Sequence, residues 1–460
     1  MIEQLYKQYL DTLQVTTDSR KITPGCIFFA LKGTTFDGNT FAPQALEQGA
    51  ALCVISDPQY RVDERCIVVP DVLEILQQLA RHHRSHLQIP VVGITGTNGK
   101  TTTKELVHAV LSRRYRTHAT QGNFNNHLGV PLTILSTPRD CELLIVEMGA
   151  NHPGEIEFLC NIAQPTCGLI TTVGKAHLEG FGSFEGVVQT KTELYRHLAA
   201  SPLHDVLFVN TDNDILMEQA ERLSMIPEIP TMIPGYYPHT NLPDWQNNTG
   251  LAMMTYGSRR DAQVKGSLVG SNPYMKFYFE DDDNVYSVQT HLVGDYNFAN
   301  AMAAVCVGRF FGVELFDIKQ ALEDYIPSNN RSQYKTTTNN RLLLDCYNAN
   351  PSSMGVALDG FESMDKPRKM VILGDMKELG ADSEREHQKL IERLEQSSFD
   401  PIFLVGTNFQ DILPYNNSRF HWFATADDAK NYLKQHPIID YTILLKGSNS
   451  NKLWTLEELL

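Results

Sequence analysis

The chain has 460 residues, of which 42% are hydrophobic and 20% charged, and its formal net charge is −15. Such a length exceeds one ordinary core and points to about two to four domains. The acidic balance leaves no basic surplus to neutralise a nucleic-acid backbone, which argues against a nucleic-acid partner.

Met1-Ile2-Glu3-Gln4-Leu5-Tyr6-Lys7 reads as the start of an amphipathic helix and not as a signal peptide. No apolar run approaches the ~20 residues needed to span a bilayer, so no membrane insertion is expected. The eight cysteines are scattered with no C-x-x-C pair, the pattern of free thiols in a reducing cytoplasm. A cytoplasmic protein, monomeric by default, is expected.

From residue 1 to about 85, short strands at Cys26–Ala30, Leu52–Ile55 and Cys66–Val69 alternate with helical stretches, which predicts a small α/β domain. The run Arg81-His82-His83-Arg84-Ser85-His86 follows. With no carboxylate or cysteine close in sequence, it reads as a solvated helix end or linker more readily than as a metal site.

A second segment, residues 86–326, opens on Val91-Val92-Gly93-Ile94-Thr95-Gly96-Thr97-Asn98-Gly99-Lys100-Thr101-Thr102-Thr103. A β-branched run, a glycine turn and then an apolar-periodic stretch predict strand, phosphate loop and helix. Glycines let successive N–H groups and the helix N-terminus face an anion. Lys100 would reach the β/γ-phosphates and the Thr101 hydroxyl would ligate Mg²⁺. The strict P-loop pattern also asks for glycine five positions before Gly99, where this chain has Ile94. Further apolar runs at Leu143–Glu147, Gly168–Val173 and Val206–Asn210 predict a mostly parallel sheet. The polar, tyrosine-rich stretch from about Thr231 to Val288 predicts an accessory antiparallel sheet on the same domain.

The third segment, residues 327–460, alternates strands at Leu342–Asp345, Met370–Gly374, Ile402–Gly406 and Tyr441–Leu445 with helical stretches. That is the pattern of a Rossmann-like doubly wound domain, whose ligands sit at strand carboxyl ends.

Three further positions carry chemistry. Glu147 ends an apolar strand beside the nucleotide loop, where a carboxylate suits Mg²⁺, although an ordinary strand-end acid fits as well. His177 follows another strand, in Lys175-Ala176-His177-Leu178-Glu179-Gly180, where a plain loop histidine is the competing reading. Lys191, in Gln189-Thr190-Lys191-Thr192-Glu193, lies on a predicted helix and by default would be a solvated lysine.

The Thr-Gly-Thr-Asn-Gly-Lys-Thr loop resembles that of the Mur ligase family. So do Gly122-Asn123-Phe124-Asn125-Asn126-His127-Leu128-Gly129, Glu147-Met148-Gly149-Ala150-Asn151 and Ala176–Ser183. Tyr347-Asn348-Ala349-Asn350-Pro351-Ser352-Ser353-Met354 and Gly374-Asp375-Met376-Lys377-Glu378-Leu379-Gly380 resemble the branch of that family that adds a dipeptide. The resemblance spans the whole chain and implies an α/β fold of three domains. The first binds a uridine-diphosphate sugar peptide. The second is a P-loop-type ATPase sheet, and the third binds the incoming dipeptide and closes on ATP. The implied reaction joins D-alanyl-D-alanine to UDP-N-acetylmuramoyl-tripeptide through an acyl phosphate, with ATP and Mg²⁺ at two sites.

Residue by residue, the resemblance places Gly96, Thr97, Asn98, Gly99, Lys100, Thr101 and Thr102 around the phosphates, and Thr101 and Glu147 on one Mg²⁺. His177 and a carbamylated Lys191 would help hold the second. Lys100, Lys191 and His177 are thereby the implied catalytic set. Asn297 and Asn300 would lie at the adenine, and Arg331 and Asp345 would reach the phosphates and ribose from the third domain. Ser19, Arg20, Lys32, Gly33 and Asp37 resemble the uridine-diphosphate site. Asn125, Asn126, Tyr347, Asn348, Asn350 and Ser353 are implied to contact substrate. The chain has Tyr296-Asn297 where the family shows His-Asn, and Asn449 where it shows Arg. Two other readings stay open. One is a sibling ligase adding a single amino acid, including one like folylpolyglutamate synthetase. The other is a P-loop nucleotide switch, which would leave the first-domain blocks without a use.

Overall fold

The computed structural model describes residues 1–175, 178–200, 206–223, 252–281, 284–328, 331–414 and 417–460. His177 lies outside the described residues, as does the stretch 231–251 of the expected accessory sheet.

Three sheets follow one another along the chain. The first is four short strands in sequential order, β1 (Val15–Thr16), β2 (Ile27–Phe29), β3 (Leu52–Ile55) and β4 (Cys66–Val68), all parallel.

The second sheet has nine strands: β5 (Val91–Thr95), β6 (Thr117–Ala119), β7 (Leu143–Glu147), β8 (Cys167–Ile170), β9 (Val206–Asn210), β10 (Ala252–Gly257), β11 (Val264–Ser271), β12 (Tyr274–Glu280) and β13 (Val285–Val293). Their order is β13-β12-β11-β10-β9-β8-β5-β7-β6. It is parallel from β6 to β11, and β11, β12 and β13 run antiparallel. The accessory strands therefore extend the main sheet instead of forming a separate one. Strands β5 and β7 are buried at every position, which explains their unbroken apolar runs.

The third sheet orders β14 (Gln333–Thr336), β15 (Arg341–Asp345), β16 (Lys369–Gly374), β17 (Ile402–Val405), β18 (Phe420–Phe423) and β19 (Thr442–Lys446) as β14-β15-β19-β16-β17-β18. Only the edge strand β14 is antiparallel to its neighbour.

One buried cluster joins the first sheet to the second, running from Tyr9, Ile27 and Val54 through Leu76 and Leu79 to Leu144, Met148 and Leu159. The helix Val72–His86 lies between them. Arg84 donates from Nε to Ala163 O at 2.8 Å and from a terminal nitrogen to Gln164 O at 2.9 Å. Tyr9 donates its hydroxyl to Leu135 O at 2.8 Å. The histidine run is thus only partly a solvated helix end. His83 and Arg84 are buried because the helix presents one face to each sheet's layer.

Candidate active site

The phosphate loop leaves β5 and ends in the helix Lys100–Leu111. Two of its glycines are required by geometry. Gly96 and Gly99 have φ of +142° and +84°. A Cβ on Gly96 would overlap the Thr171 hydroxyl, and one on Gly99 would lie 2.5 Å from Asn300 Oδ1. The loop is pinned to the end of β8: Thr97 N donates to Thr172 O at 2.8 Å, and Thr171 Oγ1 donates to Asn98 O at 2.5 Å. Lys100 Nζ folds back to donate to Gly96 O at 2.7 Å and Thr97 O at 3.1 Å. Burial pushes its ammonium below the ordinary lysine range, while the Glu147 carboxylate opposes that shift.

Glu147 ends β7, the neighbour of β5. Its Oε1 accepts from Thr101 Oγ1 at 3.1 Å and from Asn125 Nδ2 at 2.8 Å. Its Oε2 is buried with no hydrogen-bond partner. A buried carboxylate oxygen beside a threonine hydroxyl, at the mouth of a phosphate loop, is an all-oxygen donor set that suits Mg²⁺.

Lys191 is buried, and its Nζ donates to Ala150 O at 3.2 Å and stands 5.2 Å from the Phe181 ring centroid. Burial, and then Lys100, hold its pKa well below the ordinary lysine value, against the pull of Glu155 and Glu193. Glu193 is committed to the backbone, accepting from Gly154 N at 2.8 Å and Glu157 N at 2.9 Å. Among the described residues no group of three or more His, Cys, Asp and Glu clusters as a metal site.

A cavity of about 940 Å³ opens over the loop, walled by the second and third sheets. Thr97 to Thr102, Asn125, Asn126, Glu147, Asn297, Asn300, Arg331, Asp345, Tyr347, Asn348 and Ser353 all line it. Asn297 and Asn300 also form a relay: Thr103 Oγ1 donates to Asn300 Oδ1 at 3.0 Å, and Asn300 Nδ2 to Asn297 Oδ1 at 2.9 Å. Tyr296, in the place of the family's histidine, shares a 3.0 Å hydroxyl contact with Ser332 and so ties the two domains. The Arg331 guanidinium carbon lies 3.5 Å from the Tyr347 ring centroid, and its buried Nε has no partner. Asp345 accepts from Lys446 Nζ at 2.6 Å. Asn350 and Ser353 form a reciprocal cap on the helix Pro351–Ser363.

Elsewhere, Arg20 forks onto Asp18 at 2.8 Å, beside Ser19. Lys32 pairs with Asp37 at 3.3 Å, and Gly33 sits under Phe36. These first-sheet residues are not among those lining the cavity. Nor is Lys191. Residues not singled out from sequence also line it, including His152, Glu155, Phe158, Ser352, Lys377, Glu378 and Lys446. Ser352 Oγ accepts from Lys175 N at 3.2 Å. The one sequence signal for Lys377 and Glu378 is their place in the Gly374–Gly380 block.

Three family models match in chain order: Mur ligase family, catalytic domain, over residues 13–84; Mur ligase middle domain, over residues 94–226; and Mur ligase, glutamate ligase domain, over residues 330–449. The chain is 32% identical over 450 residues to UDP-N-acetylmuramoyl-tripeptide–D-alanyl-D-alanine ligase of Bacillus subtilis, covering 95% of this chain and 91% of that protein. It belongs to the Mur ligase family. The similarly named ligase of Escherichia coli is 32% identical to this Mur ligase over 440 residues, with 95% and 91% covered. Among solved structures, MurF from Acinetobacter baumannii superposes with a TM-score of 0.80 at 30% identity, covering 97% of this Mur ligase and 92% of that chain. MurF from Thermotoga maritima in complex with ADP gives 0.79 at 25% identity, with 97% and 96% covered.

Proposed function

We propose that this Mur ligase is an ATP-dependent ligase that joins D-alanyl-D-alanine to UDP-N-acetylmuramoyl-tripeptide, yielding the pentapeptide precursor of peptidoglycan, ADP and phosphate. The observation that carries this reading is one cavity in which the phosphate loop, the Thr101–Glu147 pair and the third-domain residues Tyr347, Asn348 and Ser353 converge. A nucleotide switch needs no second wall of that kind, and kinship to ligases of this name favours the dipeptide over a single amino acid.

In the first step an oxygen of the tripeptide's terminal carboxylate attacks the γ-phosphorus. The bond to the bridging oxygen breaks, giving an acyl phosphate and ADP. In the second, the neutral amine of the dipeptide attacks the acyl carbon, phosphate leaves, and the nitrogen loses one proton. Two anions must meet in the first step. Lys100, the loop amides and Arg331 are the groups of this chain that offset their repulsion. Bound Mg²⁺ would supply Lewis-acid neutralisation of phosphate charge, held by Thr101 and Glu147. Lys191 suits carbamylation, because burial favours its neutral amine, the form that can add CO₂ and release a proton. The carbamate, with His177, would then hold a second Mg²⁺.

Residues 1–85 would bind the uridine diphosphate through Ser19, Arg20, Lys32, Gly33 and Asp37. Residues 86–326 would bind ATP, and residues 327–460 would bind the dipeptide and close on the nucleotide. Cytoplasmic action fits both nucleotide substrates and the eight cysteines, all free and buried. Among the described residues no helix is long and apolar enough to cross a membrane. A monomer is the default state for this ligase.

The test is phosphate release from ATP with UDP-N-acetylmuramoyl-tripeptide, with and without D-alanyl-D-alanine, followed by product mass. Release that needs both, with a product heavier by the dipeptide, is expected. Release without either acceptor would favour the switch, and turnover with one free amino acid would favour a sibling ligase.

A further inference from the structure

The third domain's share of the cavity wall includes Lys377 and Glu378, the end of a strap, Asp375 to Glu378, between β16 and the helix Ser383–Glu395. Its anchor, Asp375, is fully buried. Asp375 Oδ1 accepts from Asn451 Nδ2 at 2.6 Å and its Oδ2 from Lys377 Nζ at 2.9 Å, while its carbonyl accepts from Ser448 Oγ at 3.2 Å. Glu378 holds φ of +63°. A non-glycine residue keeps that conformation only where its surroundings impose it.

Part of that imposition comes from outside the cavity. Met376 N donates to Nε2 of His387 at 3.0 Å. His387 is completely buried in the first turns of its helix, with the Phe409 ring edge-on 5.0 Å away. Its Nδ1 lies 2.7 Å from Ser383 O. A carbonyl can only accept, so Nδ1 carries the proton and Nε2 offers a lone pair to Met376. A proton on Nε2 would set N–H against N–H and release the strap.

We propose that neutral His387 is a positioning residue for the incoming dipeptide: by accepting the Met376 N–H it holds the strap that brings Lys377 and Glu378 to the cavity wall. The inference rests on the reading that the third domain receives that dipeptide. Lys377, its ammonium shared with Asp375, and Glu378 are a donor and an acceptor on that wall, as a ligand with one carboxylate and one amine requires. Burial and Lys377 favour the neutral imidazole; Ser383 O, Asp375 and Glu386 oppose them, and the balance lies below the ordinary histidine value.

The experiment compares wild type, His387→Leu and His387→Gln by KM for each of the three substrates between pH 5.5 and 8. His387→Leu should raise the dipeptide KM about tenfold, with the KM values for ATP and the sugar peptide within about twofold of wild type. His387→Gln, whose amide oxygen can accept the Met376 N–H, should recover most of that loss. As pH falls below the ordinary histidine range, the wild-type dipeptide KM should climb more steeply than that of His387→Gln. An unchanged dipeptide KM in His387→Leu, or an equal rise for all three substrates, overturns the proposal. Should His387→Leu fail to fold, identical pH profiles for wild type and His387→Gln do the same. Wild-type enzyme that ignores the dipeptide altogether would instead overturn the ligase reading, and the inference with it.

Discussion

Asn350 donates its side-chain amide to Oδ1 of Asn98 at 2.9 Å, across 252 residues of sequence. The phosphate loop is thereby bonded to the N-terminus of a third-domain helix, and the same Asn350 caps that helix by accepting from Ser353 N at 2.8 Å. Asn350→Ala should cost about 1 kcal/mol of cap stability and also lose the bridge. Asn98→Ala should lose only the bridge. Thermal melts should therefore fall further for Asn350→Ala, while both variants lose kcat/KM. Equal melts for the two would contradict the dual role.

Glu147→Gln keeps an oxygen for Thr101 and Asn125 but removes the negative charge. The variant should fold normally, need a higher Mg²⁺ concentration and turn over roughly 10²–10³ times more slowly. A magnesium titration indistinguishable from wild type would remove Glu147 from the metal site.

Lys100→Ala should cost about 3–4 kcal/mol of barrier, with little change in melting temperature, since the side chain only folds onto its own loop. Single-turnover phosphate release measures this directly. Unchanged turnover would sink the assignment.

Burial holds Lys191 well below the ordinary lysine value and so favours its neutral amine, which becomes less available as pH falls. Protein equilibrated with ¹³C-bicarbonate should show a carbamate carbon resonance that disappears in Lys191→Ala. Its absence from wild type would rule out carbamylation under those conditions.

Burial, reinforced by His86 and His82, pushes His83 down to about 4. In the unfolded chain it would protonate near pH 6.5, so the unfolded state binds the extra proton first. Stability should consequently fall as pH drops from about 6.5 to about 4, by about 2 kcal/mol at pH 5 relative to pH 7. Urea unfolding at the two pH values measures it, and His83→Phe should abolish that share of the difference.

Local chemistry was readable directly. The glycine turn between β5 and its helix, Glu147 at a strand end and the doubly wound third domain all follow from periodicity and from residues within a few positions of each other. Other features depend on distant partners. Lys191 reads as a solvated lysine until the fold buries it against Ala150 and Phe181. The bonds that fix the strap of Lys377 likewise exist only once β16 and β19 bring Asp375, Asn451 and Ser448 together. The sequence alone thus determined the elements and the nucleotide loop, because hydrophobic period and turn chemistry act over short range, while the family came from the resemblance of its motif blocks. Only the tertiary structure decided which polar atoms lose water and which partners replace it, because desolvation depends on packing between segments far apart in the chain.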